Sequence, residues 1–171
     1  MLYVVWMLIV MMSWPKQDAN ETYRSRFDRT FNVALALGEA VDRASIDGNW
    51  PRERSKELAA ILLSTVKSES MFLARDVQSG RRLSSVGAGC FMQVHPVHDG
   101  TAGIAWGSLL GTGLKQSRNC AFIGTMLMLR SLKACEGRSI AAAFSNYIRG
   151  HGCSSGEDGQ RRAAYVRELL F

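Results

Sequence analysis

The run Lys56-Glu57-Leu58-Ala59-Ala60-Ile61-Leu62-Leu63-Ser64-Thr65-Val66-Lys67-Ser68-Glu69 constrains the fold more than any other stretch of the chain. Read as a helix, it aligns Leu58, Leu62 and Thr65 with Glu69 at spacings of eleven, seven and four, so an acid ends the inward-facing stripe. A carboxyl on a buried face loses hydration when it ionises. Its pKa rises, and it can hold a proton near neutral pH for donation to a leaving group. Lys56 and Lys67 lie elsewhere on the wheel and offer Glu69 no obvious ion-pair partner. The plainer reading is an acid that ends its helix in solvent, and the residues that follow decide between the two.

Glu69-Ser70-Met71-Phe72 leads through a polar loop into Gly87-Ala88-Gly89-Cys90-Phe91-Met92-Gln93-Val94-His95-Pro96. Farther on come Asn119, Gly124, Leu127 and Leu129 on one segment, then Tyr147-Ile148-Arg149-Gly150-His151-Gly152. In this order the segments resemble the soluble lytic transglycosylase family, which carries Glu-Ser-x-Phe, then Gly-Ala-x-Gly-Leu-Met-Gln-x-x-Pro, an Asn-x-x-x-Gly-x-x-Tyr-Leu helix and Tyr-Asn-x-Gly-x-Gly. The resemblance spans roughly residues 52 to 171. There are departures: Cys90-Phe91 replaces Gly-Leu, Ile148 replaces the Asn after the Tyr, and the loop Ser79 to Ser85 is longer and more basic. The Ile148 change puts any role of that Asn in doubt.

The resemblance implies a mainly α, lysozyme-like (α+β) fold: a helical domain with at most a small β-hairpin bordering a substrate cleft. It implies a peptidoglycan lytic transglycosylase, a glycosidic-bond lyase that cuts the β-1,4 bond between N-acetylmuramic acid and N-acetylglucosamine and leaves a 1,6-anhydro sugar. Glu69 would be the catalytic acid and then base, Ser70 would hold its surroundings, Met92 and Gln93 would line sugar subsites, and Tyr147 would orient Glu69 or the substrate's N-acetyl group. One carboxylate in both roles needs no second acid, and neither Asp76 nor Asp99 stands where the family requires one. The alternatives are a hydrolytic lysozyme and a catalytically idle lysozyme-like component of a large assembly. The expected partner is a peptidoglycan glycan strand, with virion or secretion-machine proteins beside it. The expected setting is a virion, during phage genome delivery, or the periplasm and cell envelope, within a secretion or conjugation machine. No cofactor and no metal are expected.

With 171 residues and a formal charge of +6 the chain is long enough for one core and suits an anionic partner. Nucleic acid is not expected, because the basic residues are scattered, with Arg81-Arg82 and Arg161-Arg162 the only doublets outside any nucleic-acid motif. Arg75, Arg81 and Arg82 read as solvated, with carboxylates of wall peptide stems as their other reading. Residues 1-16 form an apolar segment and 17-171 the transglycosylase-like domain. Met1 to Trp14 is uncharged but shorter than the ~20 residues of a spanning helix. A signal-like or membrane-inserting segment and a buried or interfacial helix both remain open, with membrane contact through residues 1-14 included.

A helix is expected from Asp18 to Ile46, its aromatic stripe Tyr23, Phe27 and Phe31 facing the core, and Asp47-Gly48-Asn49 stops it. Asn119 to Cys135 reads as a helix burying Phe122, Ile123, Met126, Leu127, Leu129 and Leu132. Ser139 caps the helix that carries Tyr147, and a last helix turns Tyr165, Val166, Leu169 and Leu170 inward. Among four cysteines, Cys120 and Cys135 would stand about 22 Å apart on one helix, too far to bridge at the ~1.5 Å rise per residue. A helix returning from Ser139 would bring Cys153 back toward Cys120, which makes Cys120–Cys153 the favoured bridge if the protein is oxidised. Cys90, His95 and His98 lack a fourth ligand for zinc, and His95 reads as a cap or a cleft wall.

Overall fold

The computed structural model describes residues 2–171, so Met1 of the apolar lead lies outside the described residues. The lead forms α1 (Leu2–Ser13), stopped before Pro15. Next come α2 (Tyr23–Ile46), a 3₁₀ turn (Arg52–Arg54), α3 (Ser55–Glu69) and the short α4 (Arg75–Gln78). After a long loop with three 3₁₀ turns, α5 (Leu114–Ala134), α6 (Ile140–Arg149) and α7 (Glu157–Leu170) complete the chain. The fold is mainly α. In place of a hairpin, the described residues hold one antiparallel bridge, Gly89 to Val94.

Every residue from Leu58 to Val66 is buried, on all faces of α3, because α1, α2 and α7 pack around it. A helix apolar all round needs such a jacket. α2 packs along α5, α5 along α6, and α6 along α7, which closes the layer back onto α3. α1 buries Met7 and Met11 against this body, with Trp14 just past its end, and leaves Val5 and Ile9 outside. No helix among the described residues is long and apolar enough to cross a membrane.

Local signals set the ends. Thr22 Oγ1 accepts from Ser25 N at 3.2 Å to start α2, and Ser139 Oγ accepts from Ala142 N at 3.3 Å to start α6. α2 begins at Tyr23, later than the expected Asp18, and its aromatic stripe does not face the core. Tyr23, Phe27 and Phe31 stack on one another at the surface, 75 %, 38 % and 40 % exposed, while Thr30, Val33, Ala34 and Leu37 are buried. Each step of four residues turns about 40° past a full helical circle, so the stripe winds off the covered face. On α5 the buried line is Cys120, Ile123, Gly124 and Met128, and Phe122, Met126, Leu127, Leu129 and Leu132 are half-buried.

The cysteines pair as Cys90–Cys120 and Cys135–Cys153, which corrects the expected Cys120–Cys153 bridge. α6 has only 10 residues, too few to climb back along α5. Beyond Gly150 the chain reverses, held by Asn146 Nδ2 donating to Gly152 O at 2.9 Å and by a 3.0 Å hydroxyl contact between Ser155 and Ser139. Cys153 therefore returns beside the last turn of α5. The bridges close separations of 30 and 18 residues, worth about 3–4 kcal/mol each on a chain-entropy account. Dithiothreitol is expected to lower the thermal midpoint by about 10 °C or more, at a few degrees per kcal/mol. An unchanged melting curve by circular dichroism would contradict this.

Candidate active site

Glu69 is the last residue of α3, where the helix's carbonyl ends gather partial negative charge and disfavour a carboxylate. Its side chain, 16 % exposed, opens on a cleft of about 600 Å³. Burial raises its pKa above the usual carboxylate range. Arg162 opposes this through its charge and a hydrogen bond, and Asp158 pushes the same way as burial. The ion pair is the residue that sequence reasoning missed: Arg162 Nη1 donates to Glu69 Oε1 at 2.7 Å, and Arg162 Nε donates to Asp158 Oδ2 at 2.9 Å. A signal for it exists. Gly159, Arg162, Ala163 and Val166 form the buried stripe of α7, and a charge inside such a stripe needs a partner across the interface.

The turn after Glu69 is left-handed over three successive non-glycine residues, Met71, Phe72 and Leu73, with φ of 51°, 59° and 64°. Such backbone costs roughly 1–3 kcal/mol per residue and persists only where its surroundings enforce it. Ser70, expected to hold the surroundings of the acid and to be counted with the substrate-binding residues, is fully buried within this turn and does not line the cleft. Its hydroxyl donates to Val66 O and accepts from Leu73 N, the latter at 2.8 Å. Arg29 Nη1 holds Leu73 O at 2.7 Å from the far side while its other nitrogens grip the buried Glu21 carboxylate. Ser70 is thus a fastener of the turn.

Met92 is also corrected: its side chain is fully buried and cannot line a sugar subsite. It packs on Gly124, where an added Cβ would stand 2.6 Å from Met92 Cβ. The carbonyl of Met92 accepts from Tyr147 Oη at 2.7 Å. Gln93 lines the cleft, with φ of 50° at the end of the Cys90–Gln93 turn. Tyr147 lines it too. Burial first, and then the charge of Glu69, push the Tyr147 hydroxyl's pKa far up, so it stays a neutral donor. Its proton goes to Met92 O, which ties α6 to the turn and leaves Glu69 to Arg162.

The cleft thus runs between the end of α3, the turn carrying Ala88, Gln93 and His95, and the facing sides of α5 and α6. His95 both lines it and caps the Pro96–His98 turn, its Nδ1 accepting from Val97 N at 3.1 Å. Ile148 faces the cleft as an apolar wall. Cys90 is consumed by its bridge and is no metal ligand. Arg75, Arg81 and Arg82 line a separate pocket, where Arg82 sits 3.9 Å from Asp76.

No family model, curated protein or solved structure matches the chain. The chemistry is read from the site itself: a poorly hydrated acid, gripped at one oxygen, at the floor of a groove whose lining among the described residues holds no other carboxylate.

The Gly124 contact yields a test. Gly124→Ala is expected to force the Met92 turn away from α5, costing about 1–3 kcal/mol by overpacking, and to shift Gln93 and the Tyr147 anchor with it. Calorimetry and a crystal structure of the same variant check both parts.

Proposed function

We propose that the chain is a peptidoglycan lytic transglycosylase that cleaves the bond between N-acetylmuramic acid and N-acetylglucosamine and leaves a 1,6-anhydro end. The observation that carries this reading is the position of Glu69, the acid of the first resembling segment, in one cleft with Gln93 of the second and Tyr147 of the last. Arg162 occupies Oε1 and leaves the other oxygen for substrate. Protonated Glu69 donates to the glycosidic oxygen as the C1–O bond breaks. The substrate's N-acetyl oxygen then steadies the cationic C1, and the Glu69 carboxylate takes the proton from the 6-hydroxyl as O6 bonds to C1. The proton balance closes on one residue. Two disulfides form and persist in oxidising compartments, which supports an exported or virion-borne setting.

The test is mass spectrometry of digested sacculi. Anhydro-ended fragments, each one water lighter than reducing ends, are the expected product. Reducing ends would instead establish hydrolysis, and uncut sacculi an idle fold.

A pH dependence follows. The first step needs protonated Glu69, so kcat/KM is expected to fall as pH rises through its raised pKa. Arg162 lowers that pKa, so Arg162→Met is expected to move the falling limb to higher pH. A limb that stays in place or moves down would contradict the assignment of Glu69 as the acid.

A further inference from the structure

We propose that the Arg130–Arg149 end of the Glu69 cleft binds the carboxylates of the peptide stem borne by the muramic acid being cut, an assignment that rests on the glycan-cutting reading above. Arg130 comes from α5, Arg149 from the last turn of α6, and His95 and His98 from the ends of the Pro96–His98 turn, yet all four line the cavity that Glu69 enters. Neither arginine is paired with an acid among the described residues. The one carboxylate on this lining, Glu69, is already held by Arg162. Arg130 and Arg149 therefore give this end of the groove positive charge with no carboxylate beside it, and the His98 imidazolium there is disfavoured by burial and then by the charges of Arg130 and His95. A concave wall concentrates such a field, and a guanidinium fork fits a planar carboxylate with two hydrogen bonds.

The chemistry of the substrate names the anion. The cut bond leaves C1 of muramic acid, and the same ring carries at O3 the lactyl ether from which the peptide stem grows. The stem therefore leaves the sugar within the cleft that Glu69 serves. Wall phosphate polymers attach at muramyl O6, whereas closing the 1,6-anhydro ring requires a free O6. The reacting sugar cannot carry one. The loop arginines Arg75, Arg81 and Arg82 lie at another pocket and do not compete for this role.

The test uses the full chain carrying Glu69→Gln, chosen to bind without cutting, titrated by isothermal calorimetry with sonicated, soluble fragments of purified sacculi that are intact, stripped of stems by an amidase, or stripped of phosphate polymers by acid. Intact and phosphate-free sacculi are expected to bind roughly tenfold more tightly than stem-free ones, from two charged contacts worth up to ~1 kcal/mol each. Adding Arg130→Ala and Arg149→Ala is expected to erase the difference, and Arg130→Lys with Arg149→Lys to restore part of it, with melting curves confirming the fold of each variant. Equal binding to intact and stem-free sacculi, a preference that survives both alanines, or one that disappears with the phosphate polymers overturns the proposal. Wild-type protein on the same sacculi separates the two readings. Anhydro product without stem preference leaves the enzyme and removes the stem site, whereas stem preference without product leaves a wall-binding cleft and removes the enzyme.

Discussion

Glu69→Gln is expected to reduce release of anhydro-muropeptides by about 10²–10⁴-fold, the range set by loss of a positioned general acid. The amide keeps the size of the side chain and an oxygen for Arg162 Nη1, while Asp158 remains on the other side of the guanidinium. The thermal midpoint should therefore stay within about 4 °C of wild type, a shift of roughly 1 kcal/mol. Stability adds an independent check. Glu69 holds its proton more tightly folded than unfolded, so its contribution is fully present below the unfolded pKa and is lost as pH rises through the higher folded value. The variant has no such loss, and its melting point is expected to gain on wild type as pH rises across that window. Turnover within twofold of wild type would end the enzyme reading, and a stability difference flat in pH would end the account of a poorly hydrated acid.

Arg29→Met should unfold the protein more readily than any other single change considered. The Arg29 and Glu21 side chains are 7 % and 1 % exposed and meet through two nitrogens, at 2.9 Å and 2.8 Å. Further donations run from Arg29 to Leu73 O and to Gln78 Oε1 at 3.0 Å. Removing one member of a buried pair costs about 3–5 kcal/mol, because the other is left charged and unpaired. It also frees the left-handed turn that follows Glu69. A midpoint lower by about 10 °C is expected, at a few degrees per kcal/mol. The double variant Glu21→Gln/Arg29→Met should recover part of the loss, since it no longer strands a charge. If the double melts no higher than the single, the cost lies in the turn and not in the stranded carboxylate.

Most of the helical layout could be read in advance, and the reason is local. The α3 pattern, the Asp47-Gly48 stop and the Ser139 cap are set by residues within a few positions of one another. What could not be read depends on which distant segment covers a face. Arg162 read only as half of a basic doublet, and the packing of α7 along α3 is what brings it to Glu69. Met92 looked like a subsite wall until Gly124, far along the chain, offered it a socket. Tyr23, Phe27 and Phe31 share a spacing with core residues but wind around to the uncovered side of α2. The cysteine pairing turned on the length of α6, which periodicity alone does not end; the left-handed Gly150 does. Within the candidate site, Glu69, Gln93 and Tyr147 line one cleft, whereas Ser70 and Met92 act beneath its surface.

Cys90 joins Cys120, and Cys135 joins Cys153, so the loops follow one another without crossing. A chain threaded N-terminus first into an oxidising space presents each thiol with its proper mate as the next to arrive. Oxidation in order of emergence then yields the correct covalent pattern with nothing to reshuffle.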